Sequence, residues 1–313
     1  MAEELRIFTG NTHPELAHAV CNYLEITPGQ IDVFQFSNEN IFVRILENVR
    51  GRDVFIIQPI SSPVNRSLME LLIMIDAAKR ASAERITAAI PYYGYSRTDK
   101  KDQPRVPVTA RLVADLITVA GASRVLTLDL HAGQIQGFFN IPVDELTALY
   151  ILSSHFEKKQ LNNFVVVATD IGISKRARDM AARLNCPLAI IEKRRIGNND
   201  QTETHHVIGD VQNCNAILFD DEIDTGGSIA SASRTLIEHG ANEVCACCTH
   251  PILSGHAIER LAESPLKEIV VTDSVPVSPE KKIDKLTVLS LAPLIGEAIH
   301  RIHANLSIGA MFH

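Results

Sequence analysis

The chain has 313 residues, length for about two domains. It is 46% hydrophobic and 21% charged, the balance of a soluble globular protein with a sizeable core, which excludes a disordered or fibrous chain. A formal net charge of -7 argues against a dedicated nucleic-acid surface and still allows basic loops that receive small anions.

Taken in order, residues 6–9 suit a first strand. Thr12, Pro14 and Glu15 then predict a helix start, with Thr12 as the cap, Pro14 in the first turn and Glu15 three residues after the cap. Residues 30–36 and 41–46 read as a hairpin around the polar turn 37–40, whose tip would project. An apolar strand over 53–58 leads to a helix with Leu68, Leu71, Leu72 and Ile75 on one face. The strand 85–90 runs into a long polar, basic loop over 91–105, a loop length uncommon without a function. Pro107 is expected to start a helix that Gly121 ends. Residues 124–128 form the next strand, followed by Asp129, Leu130 and His131.

The second half repeats this order. A strand over 164–168 precedes the loop with Asp170, and a strand over 187–192 runs into Lys193, Arg194 and Arg195. An apolar run over 216–219 meets Asp220, Asp221, Glu222 and Asp224, then Thr225, Gly226, Gly227 and Ser228 before a helix that stops at Gly240. Further strands cover 244–249 and 268–272, and a terminal helix covers 294–306. Alternating strands and helices imply an α/β fold with a parallel sheet in each of two similar domains. Ligands of such sheets bind beyond the carboxyl ends of the strands, where these loops lie. The boundary falls near 142–147, giving domains of residues 1–145 and 146–313, with the terminal helix free to pack back on the first.

Six cysteines occur, and the one CxxC spacing, Cys245 with Cys248, falls inside the apolar run 244–249, which favours buried free thiols in a reducing cytoplasm over disulfides or a zinc site. No apolar run reaches about 18 residues, so no membrane span is expected. The acidic start, Met1 to Glu4, lacks the apolar core of a signal peptide.

Four constellations carry chemistry. The stretch from Asp220 to Ser228 would hold a sugar phosphate: backbone N–H groups converge at a glycine turn, the helix start adds positive potential, and the carboxylates meet hydroxyls or a cation. Its competing reading is a strand-to-helix turn with solvated acids. Lys193 and Arg195 on a loop would neutralise a transferring polyphosphate, or simply form a solvated basic turn. His131 and Asp170 each follow a strand and offer magnesium contacts, directly or through water, against a structural role for the histidine. The loop from Arg97 to Arg105, with its cations and tyrosines, suits a nucleoside triphosphate or is a plain surface loop.

Asp220 to Ser228 resembles the phosphoribosyl-diphosphate motif of type I phosphoribosyltransferase folds. Residues 128–132 with 134–139, 90–97, 193–195 and 247–251, and more loosely 66–82, resemble ribose-phosphate diphosphokinases (phosphoribosyl-pyrophosphate synthetases) along almost the full chain. The resemblance implies two tandem type I phosphoribosyltransferase-like domains and a homohexamer. It implies transfer of the β,γ-diphosphoryl group of ATP to the 1-hydroxyl of ribose 5-phosphate. It further implies that His131 and Asp170 serve Mg2+, that Lys193 and Arg195 stabilise the transferring group, and that Asp220 and Asp221 bind ribose hydroxyls. Asp224, Thr225, Gly226, Gly227 and Ser228 would then cradle the 5-phosphate. Arg97, Thr98 and the tip residues Asn38, Glu39 and Asn40 would contact ATP, the tip often serving a neighbouring subunit, and 79–82 with 307–312 would contribute to a phosphate- and ADP-responsive site. Two departures stand out: the tip lacks the family's Asp-Gly-Glu type sequence, and the loop 169–173 keeps Asp170 and one glycine of a Pro-Asp-x-Gly-Gly pattern. The rival expectations are a phosphoribosyltransferase, which consumes the diphosphate with a nucleobase, and a non-catalytic regulatory paralogue.

Overall fold

The computed structural model describes residues 5–159, 163–195 and 203–312, and for 193–195 and 203–205 the backbone alone. The chain divides into two compact units. The first contains the described residues up to Thr147, Ser274–Pro276 and those from Ser290 onward; the second contains Ala148–Asp273 and Val277–Leu289.

The first unit begins with β1 (Leu5–Thr9), α1 (Pro14–Tyr23), β2 (Ile31–Gln35), β3 (Ile41–Ile45), β4 (Asp53–Ile57) and α2 (Val64–Arg80). It continues with β5 (Arg85–Ile90), α3 (Thr109–Ala120), β6 (Arg124–Leu128) and β7 (Val143–Leu146). Five strands form a parallel sheet in the order β1-β4-β5-β6-β7. β4 is buried along its whole length, which explains its unbroken apolar reading: helices cover both faces of a parallel sheet, so neither face needs polar residues. Leu68, Leu71 and Ile75 of α2 pack with Phe8, Ile56, Ile86 and Val113 in the core. β2 and β3 pair antiparallel as a separate ribbon, as the alternation around the 37–40 turn predicts.

Two helix starts differ from expectation. Thr12 does not cap α1; its hydroxyl accepts a bond from Gln58 Nε2 at 2.8 Å, and His13 takes the cap position, its imidazole Nδ1 lying 3.3 Å from Glu15 Oε2 rather than capping the helix. α3 begins at Thr109 rather than Pro107, and the Ala110 amide in its first turn donates to the Thr98 carbonyl at 3.3 Å. Both starts are set by groups far away in sequence.

The second unit comprises α4 (Leu149–Glu157), β8 (Phe164–Ala168), α5 (Ser174–Arg183), β9 (Leu188–Arg195), β10 (Glu203–Ile208) and β11 (Asn215–Ile223). Then come α6 (Gly227–Glu238), β12 (Glu243–Pro251), α7 (Ala257–Ala262), β13 (Leu266–Thr272) and β14 (Leu286–Leu289). The sheet order is β10-β9-β8-β11-β12-β13-β14, parallel except for the antiparallel β9–β10 pair. The chain runs outward from β8 through β9 and β10, then returns to β11 on the other side of β8. That reversal makes a switch point between β8 and β11, the crevice where open α/β sheets bind ligands. The core gathers Val165, Val167, Leu218, Ile229, Leu236, Val244 and Ile269.

Two strands run further than the sequence suggests. β9 continues past Glu192 through Lys193–Arg195, because β10 supplies an antiparallel partner. β11 continues past Phe219 through the acids to Ile223, because β12 extends beside it to Pro251. The last helix, α8 (Ala292–His303), belongs to the first unit. A Cβ on Gly296 of α8 would lie 2.4 Å from the Tyr23 ring, so glycine permits the close approach to α1. Among the described residues no helix is long and apolar enough to cross a membrane. All six cysteines are free thiols.

Candidate functional site

In the second unit the site grows from the switch point. Ala168 and Phe219 are paired in register, so the residues after β8 stand beside the acidic end of β11. Thr169 Oγ1 donates to Asp220 Oδ2 at 2.6 Å. Asp220 Oδ1 accepts from the Asp221 N–H at 2.9 Å, and Asp221 Oδ1 accepts from the Glu222 N–H at 3.0 Å. Asp221 and Glu222 are buried. Burial first, then the charge of Asp221, pushes the Asp220 carboxyl above the usual carboxylate range; the Thr169 bond opposes this and Asp170 adds to it. The structure therefore gathers Asp170, Asp220 and Asp221 at one crevice.

The chain then turns. Gly226 has φ 72, and α6 starts at Gly227. Any side chain at Gly226 would be strained, and its Cβ would sit 3.2 Å from the Ala257 carbonyl. Ser254 Oγ bonds Asp224 Oδ1, and Arg260 Nη1 donates to the Thr225 carbonyl at 2.9 Å. Ser254, Arg260 and Thr169 are absent from the sequence expectations for this site. The first two come about thirty residues after the residues they hold, so no local pattern marks them.

Asp170 lies exposed in the turn after β8, with Oδ1 accepting from the Ile173 N–H at 3.1 Å. Lys193 and Arg195 stand on β9, not on a loop; their side chains, like the loop behind them, lie outside the described residues.

In the first unit, two loops beyond adjacent strands meet. Asp99, after β5, accepts a bond from Gln134 Nε2, after β6. This joins the loop of Arg97 and Thr98 to that of His131. Arg97 and His131 are exposed, and Thr98 Oγ1 donates to the Tyr95 carbonyl at 2.7 Å. Tyr93 anchors the loop: its ring is buried, its hydroxyl donates to the Ala110 carbonyl at 2.9 Å, and it meets Phe139 edge-on with centroids 5.9 Å apart. The hydrogen bonds of Asn38, Glu39 and Asn40 stay within the hairpin. Glu39 has φ 69, and the Asn40 N–H donates to Asn38 Oδ1 at 3.1 Å. Beneath the tip, Phe34, Phe36 and Phe42 cluster with centroids 4.9 to 5.7 Å apart.

Among the described residues no three His, Cys, Asp or Glu side chains form a metal cage. Mg2+ keeps several waters and takes one or two carboxylates plus substrate phosphates. Asp170 offers an exposed carboxylate of the required kind.

A family profile described as the N-terminal domain of ribose phosphate pyrophosphokinase matches residues 5–121. A second, the phosphoribosyl synthetase-associated domain, matches residues 199–313. The chain is 55% identical over 309 residues to a ribose-phosphate pyrophosphokinase of Caldanaerobacter subterraneus subsp. tengcongensis, covering 98% of each. It is 52% identical to a ribose-phosphate pyrophosphokinase of Corynebacterium ammoniagenes, covering 99% of this chain and 97% of that one. Its fold matches the crystal structure of phosphoribosylpyrophosphate synthetase from Mycobacterium smegmatis with a TM-score of 0.92 and 44% identity, over 96% of this chain and 99% of that chain.

Proposed function

The chain belongs to the ribose-phosphate pyrophosphokinase family, and from that membership we propose that it transfers the β,γ-diphosphoryl group of ATP to ribose 5-phosphate. The observation that carries the reading is the likeness over nearly the whole chain of both kinds of relative, sequence and structure. The 1-hydroxyl oxygen attacks the β-phosphorus in line. The bond from that phosphorus to the oxygen bridging it to the α-phosphorus breaks, AMP leaves with that oxygen, and the hydroxyl proton passes to solvent. Such transfer is mostly positioning and electrostatics.

The residues take their parts as follows. Asp220 and Asp221 bind the ribose hydroxyls, and Asp224 to Ser228 receive the 5-phosphate on backbone N–H groups and the start of α6. Lys193 and Arg195 neutralise charge on the transferring group. Arg97 and Thr98 hold ATP, with the tip residues Asn38 to Asn40 contributing to the nucleotide contact. The first unit is the ATP side and the second the ribose 5-phosphate side. Asp170 and His131 would each serve Mg2+, directly or through water, and the ion when bound would offset phosphate charge. The chain acts as a homohexamer in the cytoplasm, a compartment in which its six free thiols stay reduced.

The test is direct. Purified protein with ATP, ribose 5-phosphate and Mg2+ forms AMP and 5-phosphoribosyl 1-diphosphate in equal amounts, and chelation of the metal abolishes both. Absence of AMP from protein without any partner would overturn the catalytic reading in favour of a regulatory paralogue. Diphosphate release that requires a nucleobase would favour a phosphoribosyltransferase.

A further inference from the structure

The segment from Leu253 to Leu261 touches every residue of the turn Ile223, Asp224, Thr225 and Gly226. The Leu253 N–H donates to the Ile223 carbonyl at 3.0 Å, and the Ser254 N–H to the Asp224 carbonyl at 2.9 Å. Arg260 Nη1 donates to the Thr225 carbonyl at 2.9 Å. Three successive carbonyls are thus held on one side. In a trans peptide the C=O and N–H point in opposite directions. The N–H groups of Asp224, Thr225 and Gly226 are therefore turned away from the holding segment. In a regular strand successive N–H groups would alternate between sides, so this arrangement has to be imposed. Consecutive N–H groups on one side form an anion-binding concavity. The Ser254 hydroxyl also holds Asp224 Oδ1, which keeps that carboxylate on the Ser254 side. At Gly226 the absent side chain lets the turn close onto Ala257 and Leu261.

We propose that Ser254 and Arg260 are positioning residues that preorganise the turn 224–228 for a phosphomonoester. This deepens the ribose 5-phosphate reading of the same turn and rests on it. Ser254 fixes a carboxylate and Arg260 fixes a peptide plane. Neither needs to touch the substrate. A preorganised site loses less ordering free energy on binding, so the effect falls on ribose 5-phosphate affinity. ATP affinity is untouched.

Three variants test this: Arg260→Ala, Arg260→Lys and Ser254→Ala. Each is assayed for KM of both substrates, for ribose 5-phosphate binding by calorimetry, and for amide hydrogen exchange. Arg260→Ala is expected to raise KM and Kd for ribose 5-phosphate roughly tenfold, the scale of one charge-assisted hydrogen bond. KM for ATP stays within about twofold, since only the acceptor side is disturbed. Arg260→Lys restores part of the loss, because lysine donates to the carbonyl without the planar fork. Ser254→Ala raises the same two constants by a smaller factor. Exchange quickens at 224–228 in all three and stays unchanged in β8 and β12. Wild-type constants in Arg260→Ala would overturn the proposal, as would exchange that quickens throughout the second unit. If the wild-type protein binds ribose 5-phosphate and forms no AMP, the reaction reading fails, and the positioning role is then decided by Kd and exchange. A wild-type protein that binds no ribose 5-phosphate overturns both.

Discussion

Asp220 is held in a place where its charge is costly. It is partly buried beside Asp221, with Asp170 nearby and the Thr169 hydroxyl as compensation. Its folded carboxyl therefore keeps its proton to a higher pH than the unfolded one. The corresponding stability is fully present below the ordinary carboxylate range and is lost as pH rises through the raised value. The unliganded protein should melt at falling temperature across that window. Asp220→Asn cannot ionise, so its melting curve against pH should be flatter, and the two should diverge by several degrees at the alkaline end. About 1.4 kcal/mol per unit of displacement and about 2–4 °C per kcal/mol set that scale. Parallel curves in scanning calorimetry would remove Asp220 as the cause. Gly94 makes a steric case in the other unit. A Cβ there would lie 2.4 Å from the Ile60 carbonyl oxygen, a backbone atom that cannot rotate aside. Gly94→Ala should cost about 1–3 kcal/mol, the usual scale of overpacking, in denaturant titration. KM for ATP should rise with it, because Gly94 lies in the same loop as Arg97 and Thr98, three residues before Arg97.

At the level of elements, the β9–β10 ribbon puts the basic trio on a strand. A strand gives Lys193 a more defined backbone than a free loop would. Lys193→Ala should lower kcat on the order of 100-fold, as loss of an electrostatic stabiliser does, with stability unchanged. An unaltered kcat would remove it from the chemistry. The ribbon also shows what could and could not be read from the chain. β4, β5 and the apolar part of β11 were legible because burial on both faces leaves an unbroken apolar run. The charged ends of β9 and β11 were not legible, since they are strands only through backbone pairing with β10 and β12. β7 and β14 are short edge strands of four residues, too brief for a pattern to emerge. Helix starts failed for a related reason: Thr12 has the right chemistry for a cap and spends it on Gln58. In the site, the acids and glycines of 220–228 were visible because one local run carries them. Ser254 and Arg260 were invisible because their partners are distant in sequence.

On the scale of the whole chain, the path leaves the first unit at Thr147, rejoins it briefly at Ser274–Pro276 and returns to stay at Ser290. The return is fastened at a buried carboxylate. Asp53, at the start of β4, is 5% exposed and binds both Arg85 of β5 and His303 of α8, the latter at 2.8 Å. Arg85 reaches further, to Asn305 Oδ1 at 3.0 Å and the His303 carbonyl at 3.3 Å. Three segments distant in sequence thus share one charge network. Removing a donor leaves a buried carboxylate short of a partner, a loss of about 1–3 kcal/mol. His303→Ala should therefore lower protection from hydrogen exchange in β4 and β5. β8 and β11 should keep theirs, because their sheet is built from second-unit residues alone. Deleting residues 290–313 should give the same pattern more strongly, since it also strips α1 of the Gly296 contact at Tyr23. Equal loss of protection in both units would mean that they unfold as one cooperative body. Unchanged protection in β4 after His303→Ala would mean that Arg85 alone satisfies Asp53. The predicted asymmetry requires that the C-terminal helix completes the first unit, so the second unit's sheet can hold its shape while the first unit's sheet loosens.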